Sequence, residues 1–308
     1  MRIDRQLALS AYYAATLPVR SWQSRARCAA GQAPVRIMFY HRVADDTPNA
    51  WTIGTRAFRR QMEWVARRFD VVPLAEAQRR IARGHNQRPT ACITFDDGYA
   101  DNCRFAIPLL LRMGLPFTYF VATRHIAQGL PFPHDSQAGA PLRPNTAAEV
   151  RAMHGAGVEI GAHTRSHADL GSIEDSARLH DEIVGSVRDL HAMLDAPVRY
   201  FAFPFGLHQN LRHEAFAIAR AAGLAGVCSA YGGYNFPGDD PFHLQRFHAD
   251  PELIRLKNWL TIDPRKLGAV ERYEYERRSQ SRTPLPLQGE GVGVGTQPGQ
   301  LDHSTRLD

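Results

Sequence analysis

The chain has 308 residues, of which 44% are hydrophobic and 22% are charged, a balance that is typical of globular proteins and excludes a disordered or fibrous one. No apolar run reaches about 18 residues, so the sequence excludes a polytopic membrane protein. The net charge is +6, but no basic stripe interleaved with aromatic residues is present, and we therefore expect no nucleic-acid partner.

The first 30 residues form a basic segment with five arginines and one aspartate. An uncharged stretch between Arg5 and Arg20 leaves three interpretations open: a secretion signal, a basic amphipathic helix at a membrane surface, or a helix packed on the domain. Four cysteines without metal-finger spacing favour reduced thiols. We expect a cytoplasmic or membrane-peripheral protein, with peripheral membrane contact as one option and an exported form still open.

Residues 31–278 alternate between short apolar strands and amphipathic helices. The pattern predicts strands at 35–40, 69–73, 90–95, 117–122, 158–162, 200–203, 224–229 and 242–248, and helices at 55–68, 74–84, 99–114, 146–155, 172–194 and 208–223. This alternation predicts an α/β fold of parallel strands, an irregular (β/α) barrel of about seven or eight units in a single catalytic domain. Residues 279–308 are rich in Pro, Gly and Gln and are predicted to be a disordered tail.

The first motif whose residues could support catalysis is Thr94-Phe95-Asp96-Asp97-Gly98-Tyr99, in which two carboxylates follow an apolar strand. Barrel enzymes carry their reactive residues at the carboxyl ends of strands. Two adjacent carboxylates repel each other unless a cation binds one and leaves the other free as a base. A simple turn with an aspartate cap is the alternative for this motif taken alone.

Two further motifs also follow predicted strands. His163-Thr164-Arg165-Ser166-His167 places two imidazoles at a spacing that allows them to share a divalent metal, although two surface histidines are the alternative. The third motif, Arg199-Tyr200-Phe201-Ala202-Phe203-Pro204-Phe205-Gly206, ends an aromatic strand in a turn whose backbone N–H groups could bind an oxyanion.

Together the three motifs resemble, in this order, those of the polysaccharide deacetylase superfamily, the nodulation-factor deacetylase-like carbohydrate esterases, over residues 35–250. The resemblance implies an irregular (β/α) barrel, a divalent metal that is usually Zn²⁺, and hydrolysis of an N-acetyl group on a sugar. It implies that Asp96 is the general base and that the backbone N–H of Phe205 helps to bind the oxyanion. The metal ligands that it implies are Asp97, His163 and His167.

The sequence departs from this pattern where the family carries a Leu-x-His motif with the general acid. Here Leu244-Gln245-Arg246 puts Arg246 in that place, and arginine is a poor proton donor. His248, on the same strand face, is the first substitute for the acid, and His41, after the first strand, is the second. Arg246 is expected to hold a substrate anion or Asp96 itself. Arg199 and Tyr99 are also predicted to contact substrate.

The leading interpretation is a metal-dependent carbohydrate de-N-acetylase that acts on a polysaccharide or lipid-linked glycan in exopolysaccharide biosynthesis. One alternative keeps the chemistry but removes a formyl group from a lipid-linked amino sugar. A second alternative is a non-catalytic glycan-binding subunit of exopolysaccharide assembly. The sequence predicts no oligomeric state.

Overall fold

A parallel β-sheet that curves into a barrel forms the centre of the molecule. The computed structural model describes residues 2–249, 251–267 and 271–275. In this part of the chain the strands are β1 (Val35–Tyr40), β2 (Arg42–Val43), β3 (Thr52–Ile53), β4 (Asp70–Val71), β5 (Thr90–Phe95), β6 (Phe117–Val121), β7 (Glu159–Ala162), β8 (Tyr200–Ala202), β9 (Gly226–Cys228), β10 (His243–Leu244) and β11 (Arg246–His248). β1, β5 and β6 are short and fully buried, which is typical of strands covered on both faces.

The sheet follows the order β10-β9-β8-β7-β6-β5-β1-β11, and every pairing is parallel; β4 also pairs with β5, while β2 and β3 form a separate pair. The first and last strands of this path are separated in sequence by Gln245 alone. One short segment therefore pairs with β9 through Leu244 and with β1 through Phe247. This double pairing nearly closes the barrel and confirms the predicted irregular (β/α) barrel.

The break in this closing segment has a local cause. The amide of Asn235 accepts a hydrogen bond from the Gln245 N–H at 2.8 Å and donates one to the Gln245 carbonyl at 2.9 Å. Asn235 therefore satisfies the backbone groups of the residue that joins the two pieces, which a buried position requires. A continuous strand was predicted over 242–248, and the structure divides it at Gln245.

The helices pack around this sheet. They are α1 (Arg2–Ala29), α2 (Thr55–Ala66), α3 (Leu74–Ala82), α4 (Ala106–Arg112), α5 (Thr123–Gln128), α6 (Pro133–Gln137), α7 (Ala147–Gly155), α8 (Ser176–His180), α9 (Ser186–Leu194), α10 (His213–Ala221) and α11 (Leu253–Leu260). α2 shows how the sequence directs the packing, because Phe58, Met62 and Val65 recur at helical spacing and are fully buried. Burial of each such side chain contributes about 1.5–3 kcal/mol.

Two predicted helices differ in detail. The segment 172–194 contains a π-helical turn, Asp181–Gly185, between α8 and α9. The segment 99–114 is divided into a 3₁₀ turn, Ala100–Cys103, and α4. α6 lies between the predicted strand at 117–122 and the predicted helix at 146–155, where the sequence predicts no helix.

The N-terminal segment is the helix α1, and it packs against α11. Tyr12 donates a hydrogen bond to Asp263 at 2.8 Å, and the buried Arg20 donates one to Asn258 at 2.8 Å and lies 3.7 Å from Asp263. This is the arrangement that the third interpretation of the segment expects. Among the described residues, no helix combines the length and the apolar character needed to cross a bilayer. The predicted tail, 279–308, lies outside the described residues.

Candidate active site

The predicted motifs meet at the carboxyl ends of the barrel strands, around one cavity of about 570 Å³. Asp96 and Asp97 follow β5, His163 follows β7, and His41 follows β1. The polar and titratable side chains that line the cavity are His41, Asp96, Asp97, His134, His163, His167 and His248, and its apolar lining includes Phe39, Trp51, Phe203, Phe205, Leu207 and Ala230. The structure thus brings together residues that are up to about 200 positions apart in sequence.

Asp97, His163 and His167 form a compact cluster. Asp97 Oδ1 lies 3.4 Å from His163 Nε2 and 3.1 Å from His167 Nε2, and the three ligand atoms all lie within 4.8 Å of one another. Burial alone would raise the pKa of Asp97, but the adjacent His167 and His163 imidazoles outweigh this and hold the pKa well below its usual range. Asp97 is therefore an ionised, acceptor-only group at neutral pH.

This cluster fits a divalent metal ion. Asp97 Oδ1 is buried and accepts no hydrogen bond among the described residues, although a buried carboxylate oxygen normally has a partner. The His163 Nδ1 lies 2.7 Å from the carbonyl oxygen of Ala202, so Nδ1 carries the hydrogen and Nε2 keeps its lone pair toward the cluster. One carboxylate oxygen and two imidazole nitrogens are a donor set that suits Zn²⁺ and related ions.

A buried carboxylate holds the loop that carries the two histidines. Glu182 accepts hydrogen bonds from the backbone N–H groups of Arg165 at 3.0 Å and Ser166 at 2.9 Å, and also from the Ser166 hydroxyl. Glu182 lies in the π-helical turn between α8 and α9. This turn therefore places the Glu182 carboxylate against the loop between His163 and His167.

Backbone strain is concentrated around the cavity. Asp97, Thr164, His167 and Phe205 all have left-handed φ angles, between 58° and 72°. Such a conformation costs a non-glycine residue of order 1–3 kcal/mol and persists only where the surroundings hold it. Four of the seven non-glycine residues with positive φ in the described chain lie in or directly beside the cluster and cavity. Strain of this kind is typical of a functional site.

Asp96 is held by a buried bidentate ion pair. Arg246 donates to Asp96 Oδ1 at 2.7 Å and to Oδ2 at 2.8 Å, and it also donates to the Thr94 hydroxyl and the Ser229 carbonyl. Burial raises the pKa of Asp96, but Arg246 and then His163 reverse the effect, so the net pKa is lowered. Asp96 is therefore a fixed carboxylate that can accept a proton.

Arg246 is fully buried, and its guanidinium N–H groups donate to Asp96, Thr94 and Ser229. Of the roles that the sequence analysis left open, the structure supports anchoring of Asp96, and it corrects the assignment of Arg246 as a substrate contact. The residue that anchors Asp96 therefore lies on β11.

Two further histidines, His41 and His248, line the cavity. The rings of His41 and His248 have centroids 5.9 Å apart, and Trp51 lies 4.7 Å from His41 and 5.7 Å from His248. Burial, with His41 and Arg255 acting in the same direction, lowers the pKa of His248 to about 4. Burial also lowers the pKa of His41, but Asp97 and Asp96 act in the opposite direction.

Phe205 lies at the mouth of the cavity. Its ring is exposed, and the centroid of this ring lies 5.1 Å from that of the His167 ring. Both Phe205 and Gly206 adopt left-handed φ angles, of 60° and 62°. A Cβ at Gly206 would lie 2.7 Å from Ala230, so only glycine fits this turn. The turn therefore brings the Phe205 backbone to the site, as the proposed oxyanion role requires.

The structure does not bring two predicted substrate contacts to the cavity. Arg199 precedes β8, at the amino end of the strand, and pairs with Glu159 at 2.7 Å. Its assignment to the site is corrected, because the carboxyl end of β8 faces the cavity instead. The Tyr99 hydroxyl is buried against Asp135 at 2.8 Å and His134 at 2.9 Å, so it supports α6 and does not face the cavity.

Three residues at or behind the site were not predicted from the sequence: Trp51, His134 and Glu182. Trp51 lies in a turn before β3 and His134 lies in the five-residue helix α6, and neither segment has a periodicity that indicates a ring in the cavity. From the sequence, Glu182 cannot be told apart from a solvated glutamate on a helix surface. The one signal that could have identified it as buried is its position among apolar residues of the same helical face.

Comparison with known proteins agrees with this geometry. A family model for polysaccharide deacetylase matches residues 83–227. YxkH of Bacillus subtilis (strain 168), a candidate polysaccharide deacetylase, is 23% identical over 182 residues, which make up 58% of this chain and 59% of YxkH. The match thus spans less than two thirds of that curated relative.

Two solved structures share the fold. IcaB from Ammonifex degensii has a TM-score of 0.62 at 23% identity, covering 74% of this chain and 97% of IcaB. The deacetylase PplD from Streptococcus pyogenes has a TM-score of 0.62 at 18% identity, covering 74% of this chain and 99% of PplD. The fold and site define a (β/α) barrel with a candidate metal site at the carboxyl ends of its strands. Residues 83–227, which contain all three motifs, match the polysaccharide deacetylase family, as the motifs predicted.

Proposed function

We propose that this chain is a metal-dependent hydrolase that removes N-acetyl groups from amino sugars of a polysaccharide or lipid-linked glycan. The observation that carries the proposal is the juxtaposition of Asp97, His163 and His167 with the Arg246-anchored carboxylate of Asp96 in one cavity. The family match supports the same chemistry. A purely glycan-binding subunit would not need a strained metal-ligand cluster beside a fixed base.

The three-residue cluster would hold the ion, and Asp96 would act as the base. A divalent metal ion such as Zn²⁺ bound there would polarise an amide carbonyl and would lower the pKa of bound water. Asp96 is ionised and its orientation is fixed by Arg246, so it accepts the proton of the water that attacks the amide carbon. The Phe205 backbone N–H stabilises the negative charge that develops on the carbonyl oxygen.

The departing amine needs a proton, and we assign this step to His41 ahead of His248. Tyr40 pairs with Phe95, so His41 at the end of β1 lies beside Asp96 at the end of β5. His248 lies one strand further away, because it pairs with Phe39. Burial lowers the pKa of both histidines, to about 4 for His248, but only at His41 do both Asp97 and Asp96 oppose the effect of burial.

The mouth of the cavity suits a neutral glycan. Trp51, Phe205 and Leu207 are exposed there, and exposed apolar side chains around a concave site are typical of ligand-binding grooves. We propose that these side chains contact the sugar faces. A role in exopolysaccharide biosynthesis, at a cytoplasmic or membrane-peripheral location, is part of the same proposal.

Release of free amine from a panel of N-acetylated amino-sugar oligomers tests the proposal. The purified protein is assayed after chelation and again after addition of Zn²⁺, and an N-formyl series is run in parallel. We expect metal-restored activity on the acetylated series and loss of that activity in His163→Ala. Arg199→Gln, which changes a surface ion pair remote from the cavity, is the matched control and should retain wild-type rates. Activity confined to the formyl series would support the deformylase alternative, and binding without turnover would support the non-catalytic one.

A further inference from the structure

Among the exposed residues of α1 between Leu7 and Trp22, none is charged and only Ser10 and Ser21 are polar. Leu7, Val19 and Trp22 expose 64%, 52% and 69% of their surface, and Leu17 is also exposed. At helical spacing, Ala11, Ala14 and Pro18 complete the face between Leu7 and Trp22. These four large side chains are among only nine exposed large hydrophobic residues in the described part of the chain. An apolar face of this size on one helix indicates an interaction surface.

The charges around this face have one sign. Arg5 and Arg25 are exposed toward its two ends, and the sequence between them contains no Asp or Glu. A helix with an apolar face, low overall hydrophobicity and flanking arginines has the character of one that lies in the interface of an anionic bilayer. A second copy of the chain fits less well, because the two faces would bring like charges together.

A groove of about 440 Å³ runs along the edge of this face, between α1 and the barrel. Its lining includes Leu17 and Arg25 from α1 and Arg36, Arg68 and Phe69 from the barrel side. Leu17 and Arg25 are exposed and line the groove as well, so the groove and the apolar face are continuous.

Arg36 gives the groove an unbalanced buried charge. Its side chain is 1% exposed, its Nε has no hydrogen-bond partner, and one Nη donates to the Pro34 carbonyl. No carboxylate within the described residues pairs with it. Burial lowers the pKa of this guanidinium to about 10. A buried cation without a counter-charge is costly, and an anion in the groove would offset that cost.

We propose that this side of the protein docks on an anionic membrane, with the apolar face of α1 in the headgroup–acyl boundary and a lipid phosphate in the groove beside Arg25, Arg36 and Arg68. The site is separate from the catalytic cavity. It does not depend on the proposed deacetylase activity, and it accounts for both the exposed apolar face and the uncompensated arginine.

Co-sedimentation of the full chain with vesicles tests this proposal. Vesicles of phosphatidylcholine alone are compared with vesicles that also contain phosphatidylglycerol. We expect binding to the anionic vesicles only. The double variant Arg25→Ser/Arg68→Ser should weaken binding by about 25-fold, at about fivefold for each arginine near the surface, and Trp22→Glu should also weaken it strongly. The matched controls, Leu111→Glu and Arg104→Ser, change an exposed leucine and an exposed arginine elsewhere and should bind as wild type.

Three results would overturn the proposal. Equal binding to both kinds of vesicle, or to neither, contradicts anionic docking. A rise in melting temperature with inorganic phosphate, without vesicle binding, would show that the groove binds small anions and not a membrane lipid. A dimer in solution that Trp22→Glu dissociates, without vesicle binding, would assign the face to a second copy. The α1 variants should leave hydrolysis of soluble oligomers unchanged, which separates failure of this proposal from failure of the catalytic one.

Discussion

Replacement of Arg246 by methionine should destabilise the protein and change how its stability depends on pH. Arg246 and Asp96 are both buried, and two short hydrogen bonds, of 2.7 and 2.8 Å, join them. Methionine keeps much of the volume but leaves the Asp96 carboxylate without its counter-charge. It also leaves the Thr94 hydroxyl and the Ser229 carbonyl without a donor.

The magnitude follows from the burial of the pair. Removal of one partner from a buried ion pair typically costs about 3–5 kcal/mol, because the other charge stays buried and uncompensated. At about 2–4 °C per kcal/mol, the melting temperature should fall by roughly 6–20 °C. The comparable change at an exposed pair, Arg199→Met opposite Glu159, should cost less than about 1 kcal/mol.

The pH dependence gives a sharper signature than the loss of stability. In the wild type the folded pKa of Asp96 is lowered, so this group contributes stability above its unfolded pKa of about 3.9 and loses it as the pH falls through the folded pKa. Without Arg246, burial dominates and raises the folded pKa. Asp96 then binds a proton on folding, and the deficit of the variant should shrink as the pH is lowered.

Urea unfolding of wild type, Arg246→Met and Arg199→Met across a range of acidic to neutral pH measures these effects directly. The acidic limb of the deacetylation rate should also move to higher pH in Arg246→Met, because the base must be ionised to act. The reasoning is refuted if both variants lose the same small amount of stability, or if the Arg246→Met deficit grows as the pH falls.

Three further predictions concern the site. Asp96→Asn should lower the rate by at least about 10²–10⁴-fold while metal content, measured by atomic emission, stays near that of wild type; loss of metal would instead make Asp96 a ligand. His41→Ala should lower kcat more than His248→Ala, with metal retained in both, and equal, unimpaired rates would leave neither as the proton donor. Glu182→Gln should weaken metal affinity by about 10–100-fold in a competition titration, because Glu182 holds the loop between His163 and His167; unchanged affinity would show that the loop holds its shape without this carboxylate.

Much of the barrel and the centre of the site could be predicted from local sequence. The strands that precede Asp96 and His163 are continuous apolar runs, and a parallel barrel places the ends of such strands on one side. The strands at 35–40 and 90–95 lie where the periodicity puts them. The carboxylates and imidazoles could be identified because reactive side chains directly after buried strands are unusual.

The remainder depends on tertiary contacts that leave no periodic signal. The division of the last strand at Gln245 depends on Asn235, which is ten residues away, and a hydrophobic pattern does not register such an amide pair. The anchoring of Asp96 by Arg246 joins strands 150 residues apart. Trp51 reaches the cavity from a turn and His134 from the short helix α6, and neither segment carries a hydrophobic period that predicts its position. Arg199 was wrongly predicted to contact substrate because it belongs to the third motif. Its own position, at the amino end of the strand, was not considered.

Stoichiometric metal reconstitution tests the central claim most directly. Chelated wild-type protein is titrated with Zn²⁺ while deacetylation of one N-acetylated amino-sugar oligomer is followed, alongside a His163→Ala/His167→Ala double variant. We predict that wild-type activity returns and reaches a plateau at one equivalent of metal, and that the double variant neither binds that equivalent nor recovers. Full activity in the chelated wild type, or recovery in the double variant, would contradict it.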